Sequence, residues 1–144
     1  MTVTALLLSP KGRISRSQFW LGMLGVAAMF GCGIAVAFWT PFVYGSLPFI
    51  LLAVVAIYMI AIKRLHDRNK SGWWTVAFLW APGVLDRFSD KVVEESAIWW
   101  ILVLTGSALT LWGLVELGFR RGTDGENEYG PDPLKTHEVT APAV

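Results

Sequence analysis

The run Lys63-Arg64-Leu65-His66-Asp67-Arg68-Asn69-Lys70 is the densest polar stretch of the chain and the first place to look for chemistry. Histidine titrates near neutrality and a carboxylate can orient it, so His66 beside Asp67 has the composition of a general-base pair. No nucleophile or oxyanion donor accompanies the pair, however, and adjacency alone does not build a catalytic dyad. No enzyme activity is expected. The same run carries cations next to an apolar segment, and each such cation contributes about 1 kcal/mol near an anionic membrane surface. Contact with anionic lipid or a partner is the functional reading of these residues, and a topogenic loop with a structural network is the plainer one. Metal chemistry has little support: His137 lies in a polar tail, no helical His/carboxylate pairing occurs, and a single cysteine, Cys32, excludes both a Cys-based zinc site and an intramolecular disulfide. No cofactor is expected.

The elements that position these residues follow from composition. Of 144 residues, 54% are apolar and only 16% are charged, against roughly 25% charged in a soluble domain. The net charge of +1 removes nucleic-acid binding through a basic excess. From residue 17 to residue 62 there is no charged residue and no histidine. As one helix, at about 1.5 Å per residue, this run would reach roughly 70 Å, more than twice the roughly 30 Å hydrocarbon layer. It must fold back, and Thr40-Pro41 with Gly45-Ser46-Leu47-Pro48 mark the reversal. Two spans result, 18–39 and 47–62, the second extending through Lys63 and Arg64 with their charged heads snorkelling to the headgroups. A third segment, 71–85, reaches a comfortable length only by recruiting 86–88 and is short or broken at Pro82-Gly83. Residues 96–115 supply a fourth span and continue through Glu116 to Phe119.

Lys and Arg counts set the orientation. With four spans and both ends cytoplasmic, Lys11, Arg13, Arg16, Lys63, Arg64, Arg68, Lys70, Arg120, Arg121 and Lys135 lie inside, and only Arg87 and Lys91 outside. The expected fold is thus an all-α, polytopic transmembrane bundle over residues 1–121, followed by a polar, partly disordered cytoplasmic tail over 122–144. The first ten residues lack the pattern of a secretory signal and read as an arm resting on the membrane surface. Tryptophans fall near span ends, where the headgroup level suits an amphipathic ring. Small residues four apart, Ala27 with Gly31 and Gly33 with Ala37, suit close helix packing within the chain, or a dimer face.

Three ordered motifs then become visible: Lys11-Gly12-Arg13-Ile14-Ser15-Arg16-Ser17-Gln18-Phe19-Trp20; Lys63-Arg64-Leu65-His66-Asp67 with Ser71-Gly72-Trp73-Trp74; and Gly122-Thr123-Asp124-Gly125-Glu126-Asn127 with Tyr129-Gly130-Pro131-Asp132-Pro133. Together they span residues 11–133 and resemble the bacterial family called domain of unknown function 805. The resemblance implies a multi-pass protein of the bacterial inner membrane with no established activity. It maps polar family motifs onto Gly12, Arg13, Arg16, Arg64, His66, Asp67, Ser71, Gly72, Trp73, Gly125, Asn127, Gly130, Pro131 and Asp132. The chain departs from the family at Gln18, where an acidic residue is common, and by an insertion over 86–95 that separates the last two apolar segments.

Joined to the charge map, the resemblance predicts a cytoplasmic polar cap. Asp124, Glu126 and Asp132 of the tail fold back to meet Arg13, Arg16, Arg64 or Arg68, with His66, Asp67 and Asn127 in the same cluster. Such a cap suits a non-enzymatic binding or scaffold protein that contacts membrane lipid, its own copy or another membrane protein. The alternative is an oligomeric transport component for a small solute or lipid, with Gly106-Ser107 as a candidate pore-lining face. The spans carry no ionisable group at mid-depth, which argues against proton-coupled transport.

Overall fold

A computed structural model describes residues 3–39 and 43–135. The described chain is all-helical: α1 (Val3–Leu8), α2 (Arg16–Trp39), a 3₁₀ turn (Val43–Ser46), α3 (Leu47–Asp67), a π turn (Val76–Trp80) leading into α4 (Ala81–Ser89), and α5 (Ala97–Leu114) closing in a second π turn (Val115–Phe119). Thr40-Pro41 and His137 lie outside the described residues.

Local chemistry places the boundaries. Ser15 and Gln18 form a capping box: the Ser15 Oγ accepts from the Gln18 N–H at 3.3 Å, and the Gln18 Oε1 accepts from the Ser15 N–H at 3.0 Å. The expected reversal near Gly45-Ser46 is the 3₁₀ turn, and Pro48 sits in the first turn of α3, where its missing N–H costs nothing. α3 ends in a Schellman motif. Asn69 takes a left-handed φ of 53°, its N–H bonds to His66 O at 3.0 Å, and the Lys70 N–H bonds to Leu65 O at 2.9 Å. Ser96 caps α5 by accepting from the Trp99 N–H.

The third apolar segment is short but unbroken. Its backbone is helical from 74 to 89, and the irregularity expected at Pro82-Gly83 is instead the π turn just before it. Pro82 has no N–H to return to the preceding turn, and widening that turn, with the Ala81 N–H reaching back to Val76 O, accommodates the gap without ending the helix.

Two hairpins make the bundle. α2 packs on α3 through Phe19, Gly22, Val26 and Gly33 against Ala53, Ala56, Ile60 and Ala61. A Cβ on Gly22 would sit 2.8 Å from Ile60 Cδ1, so a side chain there would require the Ile60 side chain to shift. Of the small residues expected to pack, Gly33 does so against Phe49 and Ile50, whereas Ala27 and Gly31 are exposed. α4 packs antiparallel on α5, with Phe78 seated on Gly113 and Trp112. Between the hairpins, the turn Val115–Phe119 makes the most extensive backbone approach, meeting α2 and α3. α1 is not a free surface arm: Leu6 and Leu7 pack against the core and the helix lies on α3.

Three helices, Arg16–Trp39, Tyr44–Asp67 and Ala97–Phe119, are long and apolar enough to cross a membrane. In the last, only 6% of the apolar stretch is buried in protein. Surfaces so extensively apolar are solvated by lipid, since soluble monomers rarely expose contiguous apolar patches beyond a few hundred Å².

Candidate functional site

Arg13, Arg64 and Asp67 form the centre of a buried polar cap at the end of the bundle where α1, α3 and α5 all terminate. Arg64 is fully buried and Arg13 and Asp67 nearly so. Asp67 Oδ1 accepts from Arg13 Nε at 3.2 Å and Nη2 at 3.1 Å, while Oδ2 accepts from Arg64 Nη1. One carboxylate thus serves two guanidinium forks, the geometry for which arginine is suited and lysine is not. Gly122 lies against this carboxylate so closely that a Cβ would fall 2.5 Å from Asp67 Cγ.

The remaining donors go to main-chain carbonyls. A helix leaves its last four carbonyls without intrahelical partners and carries a partial negative charge there. From 117 to 121, through the turn that closes the last helix and just past it, successive carbonyls receive side chains from elsewhere: Leu117 from Arg64 Nε at 2.8 Å, Gly118 from Trp20 Nε1 at 3.2 Å, Phe119 from Arg16 Nη1 at 3.4 Å, Arg120 from Arg64 Nη2, and Arg121 from Arg68 Nη1 at 2.5 Å. At the end of α3, His66 O accepts from Asn127 Nδ2 at 2.9 Å, and Asp67 O accepts from the Thr123 N–H at 2.8 Å. At the end of α1, Lys63 Nζ donates to Ala5 O at 2.6 Å and to Leu6 O. Lys63 and Arg64 therefore turn inward and are fully buried, not snorkelling to headgroups, because helix-end carbonyls offer them acceptors within the protein. Lys63→Met is expected to loosen α1, speeding amide exchange over 3–8 and costing about 1–3 kcal/mol through the lost charged hydrogen bonds. Exchange and thermal unfolding in detergent together check this.

The tail docks chiefly through its backbone. Arg13 donates to Thr123 O at 2.6 Å, Gly125 O at 2.6 Å and Gly130 O at 3.1 Å. Asn127 and Gly130 exchange backbone bonds of 3.1 and 3.0 Å to form a tight loop. From residue 122 to residue 135 the chain is irregular, yet it is bonded to the rest of the cap as far as Gly130 and continues into a loop ordered by Asp132. For Asp124 and Glu126 the structure corrects the expected pairs with Arg13, Arg16, Arg64 or Arg68. Asp124 pairs with Arg121 at 3.1 Å on the exposed surface, and Glu126 is exposed. Asp132 is buried but accepts from the Gly125 and Leu134 N–H groups, each at 3.0 Å. Carbonyls win because the tail's turns aim them at Arg13, whose carboxylate partner is already Asp67.

The Leu134 and Gly125 N–H groups, aided by the Arg13 charge, hold the Asp132 carboxyl below its ordinary value of 3.8. A folded pKa below the unfolded one contributes stability above the unfolded value, lost as pH falls through the folded one. Protection of the Gly125 and Leu134 amides should thus persist from neutrality to about pH 4 and vanish only below it, and Asp132→Asn should remove the dependence.

His66 and Asp67 diverge. The His66 ring stacks on Tyr129 with centroids 3.9 Å apart and its Nδ1 faces Gly12 O at 3.3 Å, while Asp67 faces the two arginines. Of the expected cluster, Arg13, Arg64, His66, Asp67, Asn127 and Asp132 come together. Arg16 and Arg68 join by binding the Phe119 and Arg121 carbonyls, and Asp124 and Glu126 are exposed. Glu116, which the sequence places where the last span continues past 115, is fully buried and binds Arg68 at 3.1 Å, Lys70 at 2.8 Å and Arg120 at 2.9 Å. Its place one turn before a double arginine was the available signal. Among the described residues no group of three or more His, Cys, Asp or Glu could hold a metal ion.

Lipid-solvated helices closed at one end by a buried arginine cap define a helical membrane protein. The chain belongs to the family described as "Protein of unknown function (DUF805)", which matches residues 7–131. It is similar to Uncharacterized protein YiiR of Escherichia coli K12, 31% identical over 140 residues that cover 92% of this chain and 90% of the relative. Inner membrane protein YhaI of the same strain is 27% identical over 125 residues (85% of this chain, 83% of the relative). Inner membrane protein YhaH is 24% identical over 139 residues (85% of each). No solved structure matches the chain.

Proposed function

We propose that the protein is a multi-pass, non-enzymatic component of the bacterial inner membrane, crossing it four times with both chain ends cytoplasmic, and that the outer face of its cap binds an anionic surface or partner. The fourth crossing is supported by where the helices end. α3 and the helix closing at Phe119 both finish in the cap, as the Arg64 bond to Leu117 O requires. The latter helix starts at Ala97, roughly 34 Å away at about 1.5 Å per residue, so the short helix 74–89 must carry the chain back. The cytoplasmic placing of the cap rests on the ten-to-two split of Lys and Arg, and the choice of the inner membrane on the names of the relatives YhaH and YhaI.

The observation that carries the binding reading is the division of the cap into a closed interior and a cationic rim. Among the described residues, no buried side-chain N or O atom lacks a hydrogen-bond partner, so Asp67, Arg13 and Arg64 are committed to structure. A cleft of about 90 Å³ reaches Arg64 and Asp67 at its floor and is bordered further out by Ser15, Arg16, Ser17, Arg121, Thr123 and Asp124. Photocrosslinkers at Lys11 and Asp124 in membranes should give a discrete adduct that disappears in Arg16→Glu/Arg121→Glu. An adduct pattern indifferent to that reversal would end the reading.

The transport alternative draws on a different feature, a groove on the outer face of α4 and α5 that includes Gly106, Ser107 and Thr110. Several copies meeting there would line a path with small and hydroxylated residues. Solute-dependent flux into liposomes carrying the purified protein would favour it.

A further inference from the structure

The two hairpins approach most closely at the cap, and just beneath it the bundle leaves a space. A cavity of about 180 Å³ lies there, lined from all four long helical segments by residues that include Met23, Ile57, Ala61, Phe78, Leu114 and Leu117. The lining is almost wholly apolar, and an apolar cavity of about 150 Å³ in a protein core stays dry and accepts a hydrocarbon guest. Here the surrounding solvent is itself hydrocarbon, so the guest at hand is a lipid acyl chain.

A charge cluster stands at the edge of this cavity. Arg68, Lys70 and Arg120 all converge on Glu116, leaving two positive charges in excess around a single carboxylate. Glu116 directly precedes Leu117 of the lining. Lys70 lies 5.0 Å from the Trp74 ring centroid, and Trp74 stacks on Phe78, also of the lining, at 5.8 Å. Arg120 is more than half exposed and Arg68 and Lys70 are partly so, which leaves their outer donors open to a phosphate at headgroup depth. Trp73 and Phe119 are exposed beside them, as interfacial aromatics are.

From this juxtaposition we infer that the cavity and the Glu116 cluster form one site for an anionic phospholipid, its phosphate on Arg68, Lys70 and Arg120 and one acyl chain between the hairpins. The site rests on the binding reading above, yet the two fail separately, since crosslinks from the rim at Lys11 and Asp124 would survive loss of a lipid here.

Native mass spectrometry of the full chain, stripped of lipid and titrated with dioleoyl phosphatidylglycerol or dioleoyl phosphatidylethanolamine, tests it. The expected result is preferential retention of one phosphatidylglycerol by about tenfold, a difference of about 1.4 kcal/mol. Lys70→Gln/Arg120→Gln, which leaves Arg68 on Glu116, should lose the preference. Ile57→Trp and Leu79→Trp fill the cavity from opposite hairpins and should each lower retention about tenfold, with thermal unfolding confirming that at least one is folded. Equal retention of both lipids, no effect of a folded cavity-filled variant, displacement by inorganic phosphate, or a lipid-independent dimer would each overturn the assignment.

Discussion

Arg64→Lys is expected to destabilise the protein nearly as much as Arg64→Ala, by about 3–5 kcal/mol, the cost of removing one partner from a buried ionic network. Arg64 donates to Leu117 O, Ile14 O, Arg120 O and Asp67 from a single planar group. An ammonium is a compact point charge with three donors and cannot meet acceptors spread around a fork. The substitution would leave carbonyls of α5 orphaned in a place water does not reach and the Asp67 carboxylate half-compensated. Thermal unfolding in detergent is the measurement. A Lys variant within about 1 kcal/mol of the parent would mean that charge alone, not guanidinium geometry, holds the cap.

Asp67→Asn should cost a comparable amount for the opposite reason, since it leaves Arg13 and Arg64 close together without the carboxylate between them. Removing both partners of a buried bond is less damaging than removing one. Arg13→Gln/Asp67→Asn should therefore be clearly more stable than the sum of the single losses predicts. Arg13 would still be needed for Thr123, Gly125 and Gly130, so recovery is partial. Loss of stability additive to within about 0.5 kcal/mol would show that the two residues act independently.

What the sequence disclosed followed from hydropathy and caps. Three of the expected spans coincide with helices of crossing length, the turn before Pro48 is where the reversal was read, and Ser96 caps the helix expected to begin there. The cluster of Arg13, Arg64, His66, Asp67, Asn127 and Asp132 was also legible, through the family motifs. The bonding inside it was not. Its acceptors are mostly main-chain carbonyls, which no residue type announces, and a lysine or arginine at a span end reads as exposed by default. Lys63 and Arg64 read as headgroup residues for that reason, and α1 as a surface arm because its anchor on Lys63 is a backbone contact. Asn69, which supplies the left-handed cap that swings Lys70 over Glu116, passed as part of a polar loop.

The cationic bias of the sequence acquires a second cause in this fold. Three helix C-termini meet at one pole, each with a partial negative charge and unsatisfied carbonyls. Lysines and arginines collect there to satisfy backbone as well as to orient the chain in the membrane. The tail belongs to the same device, offering its own carbonyls to Arg13 and its Thr123 and Asn127 donors to the end of α3.

Residue-resolved hydrogen exchange of the protein in lipid nanodiscs, reading the amides of Thr123, Gly125, Asn127 and Gly130, tests the buried cap most directly. Slow exchange in the parent, accelerated in Arg13→Ala while the amides of α5 above Gly106 stay protected, is the predicted result. Free exchange of those four amides in the parent would contradict it.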